Sequence, residues 1–434
     1  MFSSSISRRD LFGLAAGALV VGGCGSARVG RAAPSAGFGD AQLSAAMRSS
    51  FVDELAATVE RQTEAWSTDV NAEVDLDFSG DNAARVATIA RQRQGADVGE
   101  LSGNAPHEYA DRLVDVSEIA ERIGEASGGW IDVARRLCVV DGVWRAVPWA
   151  SSNVLLNVRP SVLEAAGVEA PATYEDMLEV ATRLREERLP LIGCRIAPEA
   201  PLDSAALAYS MLWAYGGREV DESGGRVALD SDATRAALAA WEEIAALGEP
   251  RAFNYDEGGN NPAFLNGDIA ITQNGTSILW RARHDGLAIA DDIELVGTPG
   301  GPAGRHLLTN IHSLGVFEHS RNVEAALSWV EALLGAERIA ERSDASLGHY
   351  LPPLNASIVD PAMPWNRDAL LAGLRDDSSL RHHQGWPGPP SREAELVYRN
   401  RTLVKMFDAV GTGRFSVDRA AKIAAAEMAR VYET

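Results

Sequence analysis

Strand-type and helix-type residue patterns alternate along this 434-residue chain beyond residue 40, and this alternation restricts the fold more than any other feature. Residues 72–78 alternate apolar and polar side chains as a strand does, and residues 97–101 form another such segment. Helical spacing of apolar residues covers 51–66 and 82–93. Such alternation is typical of βα units, whose helices cover both faces of a sheet. The sequence therefore predicts an α/β fold with sheets flanked by helices.

The chain is also long enough for more than one core. After residue 39 roughly 390 residues remain, more than a single core usually supports, so two domains are expected. The remaining predicted elements continue the alternation: a hairpin at 141–149, a strand at 153–158, and helices at 160–166, 174–187, 205–215, 232–247, 323–336, 393–410 and 417–432.

The first 24 residues predict export. Arg8 and Arg9 precede an apolar run at 11–21, which has the length of a signal-peptide core and is too short to cross a bilayer. The paired arginines resemble a twin-arginine signal, and the run ends at Cys24 in a sequence that resembles a lipoprotein cleavage site. The alternative is an ordinary cleaved signal with a chance cysteine. Residues 25–39, rich in Gly, Ala, Ser and Pro, predict a flexible tether.

Composition and motifs exclude several functions. A formal net charge of -21 opposes nucleic-acid binding and disfavours anionic ligands, although a local pocket can oppose the global charge. Cys138 and Cys194 are expected to be two buried thiols, with a disulfide between them as the alternative. His382 and His383 have no further ligand at zinc spacing and fit an exposed polar loop, so no metal is expected. Nucleotide-binding and catalytic motifs were not found, so neither a cofactor nor an enzyme is predicted.

A series of short motifs in a fixed order carries a family resemblance. The motifs occupy 96–98, 141–144, 147–149, 166–168, 171–176, 214–217, 263–270, 297–304 and 324–326. Together they resemble the extracellular solute-binding proteins of family 1, the sugar-binding receptors of ABC importers. The resemblance implies the two-lobed periplasmic-binding-protein fold of type 2, with residues 40–153 in lobe 1, 154–310 in lobe 2, and 311–434 forming a crossover strand, the rest of lobe 1 and the C-terminal helices. No first strand is apparent before Phe51, so lobe 1 is expected to be trimmed.

The resemblance also implies a function and a site. The expected function is a monomeric, lipid-anchored receptor outside the cell membrane that passes a sugar or polyol to ABC permease subunits. A receptor that signals occupancy to a membrane partner without transport is the open alternative. A glycerol-phosphate diester is disfavoured because few cations can be assigned to the cleft. The ligand-contacting residues implied by the resemblance are Asn104, Trp149, Asn153, Ser204, Tyr209 and Asn274.

Two further ligand contacts are predicted from local sequence. His312 lies on an expected strand between the lobes, where a structural role is the alternative. Trp386 lies in a Gly/Pro-rich loop that favours an exposed or cleft-facing indole. Core packing is the alternative for Trp149 and Trp386.

Overall fold

Two β-sheets organise the structure, a computed structural model that describes residues 37–433 apart from 79–80, 200, 257 and 376–377. The strands are β1 (Ala41–Ala46), β2 (Ala72–Asp77), β3 (Val98–Ser102), β4 (Val139–Val140), β5 (Val143–Trp144), β6 (Val147–Ser152), β7 (Leu155–Val158), β8 (Leu191–Ile192), β9 (Ile269–Asn274), β10 (Glu294–Val296), β11 (Leu307–Leu308), β12 (Asn310–Val316) and β13 (Arg381–His382).

Helices connect these strands throughout the described residues. They are α1 (Asp53–Val70), α2 (Asn82–Gln92), α3 (Ala105–Glu108), α4 (Ser117–Ala126), α5 (Asp132–Cys138), α6 (Pro160–Ala166), α7 (Tyr174–Glu186), α8 (Pro201–Ala214), α9 (Asp232–Leu247), α10 (Asn260–Leu265), α11 (Ser277–His284), α12 (Val323–Leu333), α13 (Ala336–Ala345), α14 (Arg392–Arg399), α15 (Thr402–Gly411) and α16 (Val417–Tyr432). The predicted α/β fold with sheets flanked by helices is confirmed.

The first sheet has five strands in the order β2-β1-β3-β12-β6. β1 pairs in parallel with both β2 and β3, whereas β12 is antiparallel to β3 and β6. The connections β1-α1-β2 and β2-α2-β3 bring the carboxyl ends of three parallel strands to one edge of this sheet. Polar groups placed just after those strands are thereby brought together.

Strand β1 contradicts the expectation that lobe 1 lacks its first strand. Its sequence, residues 41–46, contains three alanines and little of the β-branched or aromatic character that marks strands. It forms because β2 and β3 pair with it on both sides. Ala45 and Ala46 are almost completely buried there. Tertiary pairing overrides a weak local preference at this position.

The second sheet has four strands in the order β10-β7-β9-β8. The chain passes from β6 of the first sheet to β7 of the second within a few residues, and it returns through β11 to β12. Both crossings therefore lie next to each other, where a hinge between the two sheets would be placed. The exact lobe boundaries remain predictions.

One predicted helix is broken in the structure. The periodic pattern at 393–410 was expected to form a single helix, but α14 ends at Arg399 and α15 begins at Thr402. Arg401, between them, has a left-handed backbone with φ 58°. The predicted bounds of α9 and α16 agree with the structure.

Burial in the core agrees with the prediction for the two cysteines and contradicts the prediction for the loop at His382 and His383. Cys138 and Cys194 are buried free thiols, as expected. His383 is buried, and the His382 ring stacks on Trp386 with ring centroids 4.0 Å apart, so the predicted exposed polar loop is wrong. Within the described ranges, groups of three or more metal-ligating side chains are absent. None of the helices in those ranges is both long and apolar enough to span a membrane.

Candidate functional site

A cavity of about 540 Å³ opens at the carboxyl ends of the three parallel strands. In open α/β sheets, ligands bind outside these strand ends, and a volume of roughly 300–1,000 Å³ suits a small organic ligand. The side of the cavity next to the first sheet comes from the loop after β1, the start of α2, β3, α3 and the start of β12. The lining residues on this side are Arg48, Ser49, Phe51, Asp81, Asn82, Ala83, Ala84, Val86, Ala87, Glu100, Leu101, Ser102, Ala105, Tyr109 and Asn310.

The opposite wall of the cavity consists of helices from the second hydrophobic core. The buried apolar residues of helices α8, α14 and α15 belong to the same hydrophobic core as those of β7 and β9. Leu403 on α15 and Ile271 on β9 are examples. Their lining residues are Leu202, Ala205, Tyr209, Glu395, Tyr398, Arg399, Arg401 and Val404. The cavity therefore lies between the two parts of the molecule that the two sheets define.

A fixed carboxylate forms part of the first wall. Glu100 on β3 is 2% exposed, and its Oε2 accepts a hydrogen bond of 2.9 Å from the backbone N–H of Arg48. His312 Nδ1 lies 3.2 Å from Glu100 Oε1. Burial lowers the pKa of His312, although Glu100 opposes this change. The amide of Asn82 donates to the Glu100 carbonyl oxygen at 2.7 Å. These bonds hold a carboxylate and an amide where ligand hydroxyl groups could reach them.

A second buried carboxylate links the two walls. Glu395 Oε2 on α14 accepts a hydrogen bond of 3.0 Å from the backbone N–H of Asn104, which follows β3. Burial raises the pKa of Glu395 to about 7, against the effect of the neighbouring Arg399. Arg399 donates to Glu108 Oε1 at 2.7 Å and to the Tyr109 hydroxyl at 2.9 Å. Helix α14 is thus bonded to α3 across one end of the cavity.

Four aromatic side chains line the same cavity. Tyr109 and Tyr209 are buried, Tyr398 is half-buried, and Phe51 is 44% exposed. Aromatic faces bind the apolar faces of sugar rings, and their hydroxyl groups can bond to polar substituents. The cavity therefore combines aromatic surface with carboxylate and amide groups.

Of the eight residues predicted to contact ligand, Tyr209 is the one that lines this cavity. Asn104 lies directly behind the wall, where its side chain donates to the Gln384 carbonyl oxygen at 3.2 Å and accepts from the Ser391 N–H at 3.2 Å. His312 is buried behind Glu100. These three residues are grouped at or beside the cavity.

The other five predicted residues lie elsewhere. Trp149 is buried in β6, Asn153 lies between β6 and β7, and Ser204 accepts a hydrogen bond from the Ala197 N–H within the fold. Asn274 donates to Asn261 Oδ1 at 2.6 Å. Trp386 is half-buried against imidazole and indole rings and does not line the cavity. Their roles as ligand contacts remain predictions.

Sequence reasoning missed most of the lining residues. Asp81 and Asn82 had a detectable signal, because a strand precedes them and Asp81 accepts from the Ala84 N–H as a helix cap. Arg48 was missed because β1 was missed. Arg399 and Arg401 had no signal, since the break between α14 and α15 brings them to the cavity. Few cations could be assigned to the cleft from sequence, whereas three arginines line the cavity in the structure.

The fold and the cavity between its two parts define an α/β solute-binding protein. The chain belongs to the bacterial extracellular solute-binding protein family, whose sequence model matches residues 49–338. This family membership confirms the predicted family and the expectation that the chain is a binding protein and not an enzyme.

Known proteins with the same fold include two that were solved with a bound ligand. The chain is 18% identical to the GacH receptor of Streptomyces glaucescens, which was solved unliganded and with acarbose, with a TM-score of 0.77 over 91% of this chain and 99% of that chain. It is 20% identical to maltose-bound MalE3 of T. maritima, with a TM-score of 0.75 over 90% and 100% of the two chains. The predicted two-lobed fold of type 2 is confirmed.

A more similar sequence is YcjN of Escherichia coli strain K12, described as an ABC transporter periplasmic-binding protein. It is 26% identical over 302 residues, which cover 66% of this chain and 66% of YcjN. The match thus spans slightly less than two thirds of YcjN.

Proposed function

We propose that this chain is the substrate-binding protein of an ABC importer and captures a small hydroxylated solute, a sugar or polyol. The observation that carries this proposal is the cavity of about 540 Å³, because its lining combines aromatic rings with buried carboxylate and amide groups. Related structures support it: the MalE3 protein was solved with maltose, and another solute-binding protein of this fold with ribitol. The name of YcjN supports the pairing with an ABC permease.

Capture is proposed to proceed by closure of the two lobes over the ligand. Each lobe contributes one wall, so a ligand that bonds to both walls stabilises the closed form and shifts the population towards it. The hydrogen bonds from the Asn104 N–H to Glu395 and from Arg399 to Glu108 already join the walls at one end. We infer that these bonds persist in the closed form and that the opposite end of the cleft admits the ligand.

We further propose that the protein is exported and held at the membrane by a lipid on Cys24. Residues 1–36, which include Arg8, Arg9 and Cys24, lie outside the described residues, so this proposal rests on the sequence motifs. Membership in an extracellular family supports export. A monomer is proposed, since one chain supplies both walls of the cavity.

A thermal-shift screen of sugars and polyols tests the ligand class. A ligand at 100 times its Kd adds about 2.7 kcal/mol to the stability of the native state, which gives a measurable rise in Tm. Stabilisation by a carbohydrate is expected. Stabilisation by amino acids or peptides, with no response to any carbohydrate or polyol, would contradict the proposal.

Measuring cellular uptake of the identified ligand tests whether the protein works with an ABC permease. Cells that lack this protein are expected to lose high-affinity uptake, and the intact gene is expected to restore it. Normal uptake combined with a lost transcriptional response would instead favour a receptor that signals without transport.

A further inference from the structure

The break between α14 and α15 gives the cavity a wall that a continuous helix could not provide. In a helix, residues two positions apart point about 200° away from each other. Arg399 and Arg401 nevertheless both line the cavity, together with Tyr398. They can do so because Arg401 adopts a left-handed backbone, φ 58° and ψ 33°, at the start of α15. Such conformations are uncommon for residues other than glycine, and here the left-handed residue directly follows the C-cap of α14.

Arg399 forms an ion pair with a carboxylate, whereas Arg401 forms none with any described residue. Arg399 is paired with Glu108 at 2.7 Å. Arg401 is exposed and donates from Nη1 to the Pro198 carbonyl oxygen at 2.6 Å, and within the described residues it forms no ion pair with a carboxylate. This bond to a neutral acceptor orients the guanidinium and leaves its charge uncompensated.

The carboxylates that line the cavity already have partners. Glu100 accepts from the Arg48 N–H, Asp81 accepts from the Ala84 N–H, and Glu395 accepts from the Asn104 N–H. Glu395 is also partly uncharged near neutral pH, because burial raises its pKa to about 7. Within the described residues, none of these three carboxylates is in ion-pair contact with Arg401.

We propose that the cavity binds a sugar acid, and that the carboxylate of this ligand pairs with Arg401 while its hydroxyl groups bond to the opposite wall. The guanidinium presents donors in a planar fork that matches a carboxylate, so a single acidic group would be bound with defined geometry. A dianionic phosphate fits less well, since Asp81 and Glu100 line the same cavity. This inference rests on the proposed function and adds the charge of the substrate.

The test compares matched pairs of neutral and acidic sugars on the purified protein. Glucuronate against glucose, and galacturonate against galactose, are titrated by calorimetry and checked by thermal shift. We expect each uronate to bind at least about tenfold more tightly than its neutral partner, which corresponds to one charge-assisted hydrogen-bonding contact. Added salt should weaken uronate binding by screening and leave neutral sugars unaffected.

Two variants test whether Arg401 is the residue responsible for the preference for acidic sugars. Arg401→Gln removes the charge and keeps a polar side chain that can donate a hydrogen bond, and it should bind uronates about tenfold more weakly, with binding of neutral sugars changed less than twofold. Arg226→Gln is the matched control, because Arg226 is exposed in a turn and does not line the cavity. It should bind both classes as the wild type does. If Arg401→Gln fails to fold, the uronate preference and salt dependence of the wild type still test the proposal.

The outcomes separate this inference from the proposed function. Neutral sugars that bind as tightly as uronates would overturn the inference and leave the sugar-binding function intact. Preference for a sugar phosphate over the matching uronate would also overturn it. Absence of binding by any carbohydrate, neutral or acidic, would overturn both.

Discussion

Replacing Trp149 with alanine tests whether its indole packs in the core or stacks on the ligand. Trp149 lies in the middle of β6 and is 4% exposed. Its ring meets the Tyr350 ring edge-on, with centroids 5.7 Å apart, and the Arg342 guanidinium lies 5.3 Å from its centroid. Trp149 does not line the candidate cavity. We therefore expect its truncation to affect folding stability and not ligand affinity.

The expected loss has several parts. Truncating a buried tryptophan costs about 3–5 kcal/mol through lost burial and the remaining void. The aromatic pair with Tyr350 accounts for about 0.5–1.5 kcal/mol of such a contact. Arg342 is buried, and burial lowers its pKa to about 9, so loss of the adjacent ring removes one of its few favourable contacts. These contributions overlap, and a total near 4 kcal/mol is expected.

Chemical denaturation of the ligand-free protein measures this loss. Trp149→Ala should lower the denaturation midpoint at an unchanged m-value, while Trp149→Phe, the matched control, should lose roughly half as much. Calorimetry with the ligand from the screen should give a Kd within about twofold of the wild type. A stability loss below about 1 kcal/mol together with at least tenfold weaker binding would refute the core assignment and restore Trp149 as a ligand platform.

Three other perturbations test the buried carboxyl groups and the anchor. Burial raises the pKa of Glu219 from 4.5 to about 8, so the native state keeps a proton that the unfolded state has lost, and wild-type stability falls as pH rises through this range. Glu219→Gln should therefore be more stable than the wild type by about 2–4 kcal/mol at pH 8 and equal to it near pH 4.5, and the same difference at both pH values in denaturation would contradict this. Glu395 faces Arg399 on its own helix and Glu108 on α3, and its ionisation between pH 6 and 8 should weaken uronate binding by roughly threefold to tenfold. Calorimetry should find no such pH dependence in Glu395→Gln, and a dependence equal to that of the wild type would exclude Glu395 as its source. Cys24→Ser should fold normally and leave the membrane fraction, and retention of this variant in membranes at high salt would contradict lipid anchoring.

Segments with strong local periodicity were predicted well. Helices α9 and α16 have the predicted bounds, because each repeats apolar residues at helical spacing over 16 residues. Strand β2, at 72–77, was predicted from its alternation of apolar and polar residues. In these segments the apolar residues that form the periodic pattern are also the ones on the buried face. The local sequence is therefore sufficient to predict the element.

Segments that depend on neighbours were predicted poorly. Strand β1 has a weak strand pattern and exists because two strands flank it, and α14 and α15 have one continuous pattern that is broken at Arg401. The candidate site depends on both features. Arg48 follows the unpredicted strand, and Arg401 occupies the unpredicted break, so the cations of the cavity could not be inferred from sequence.

The sequence alone indicated the α/β class and the family, because periodicity and motif order are local along the chain, and the paired arginines before Cys24 predict export in the same local way. The tertiary structure decided which residues share the cavity. Glu100 is far in sequence from Glu395 and Arg401, and the three residues line one cavity because two sheets and a broken helix place their backbones around one space. Burial and charge compensation arise from that arrangement. They could not be read from any one segment, since each depends on which other segments pack against it.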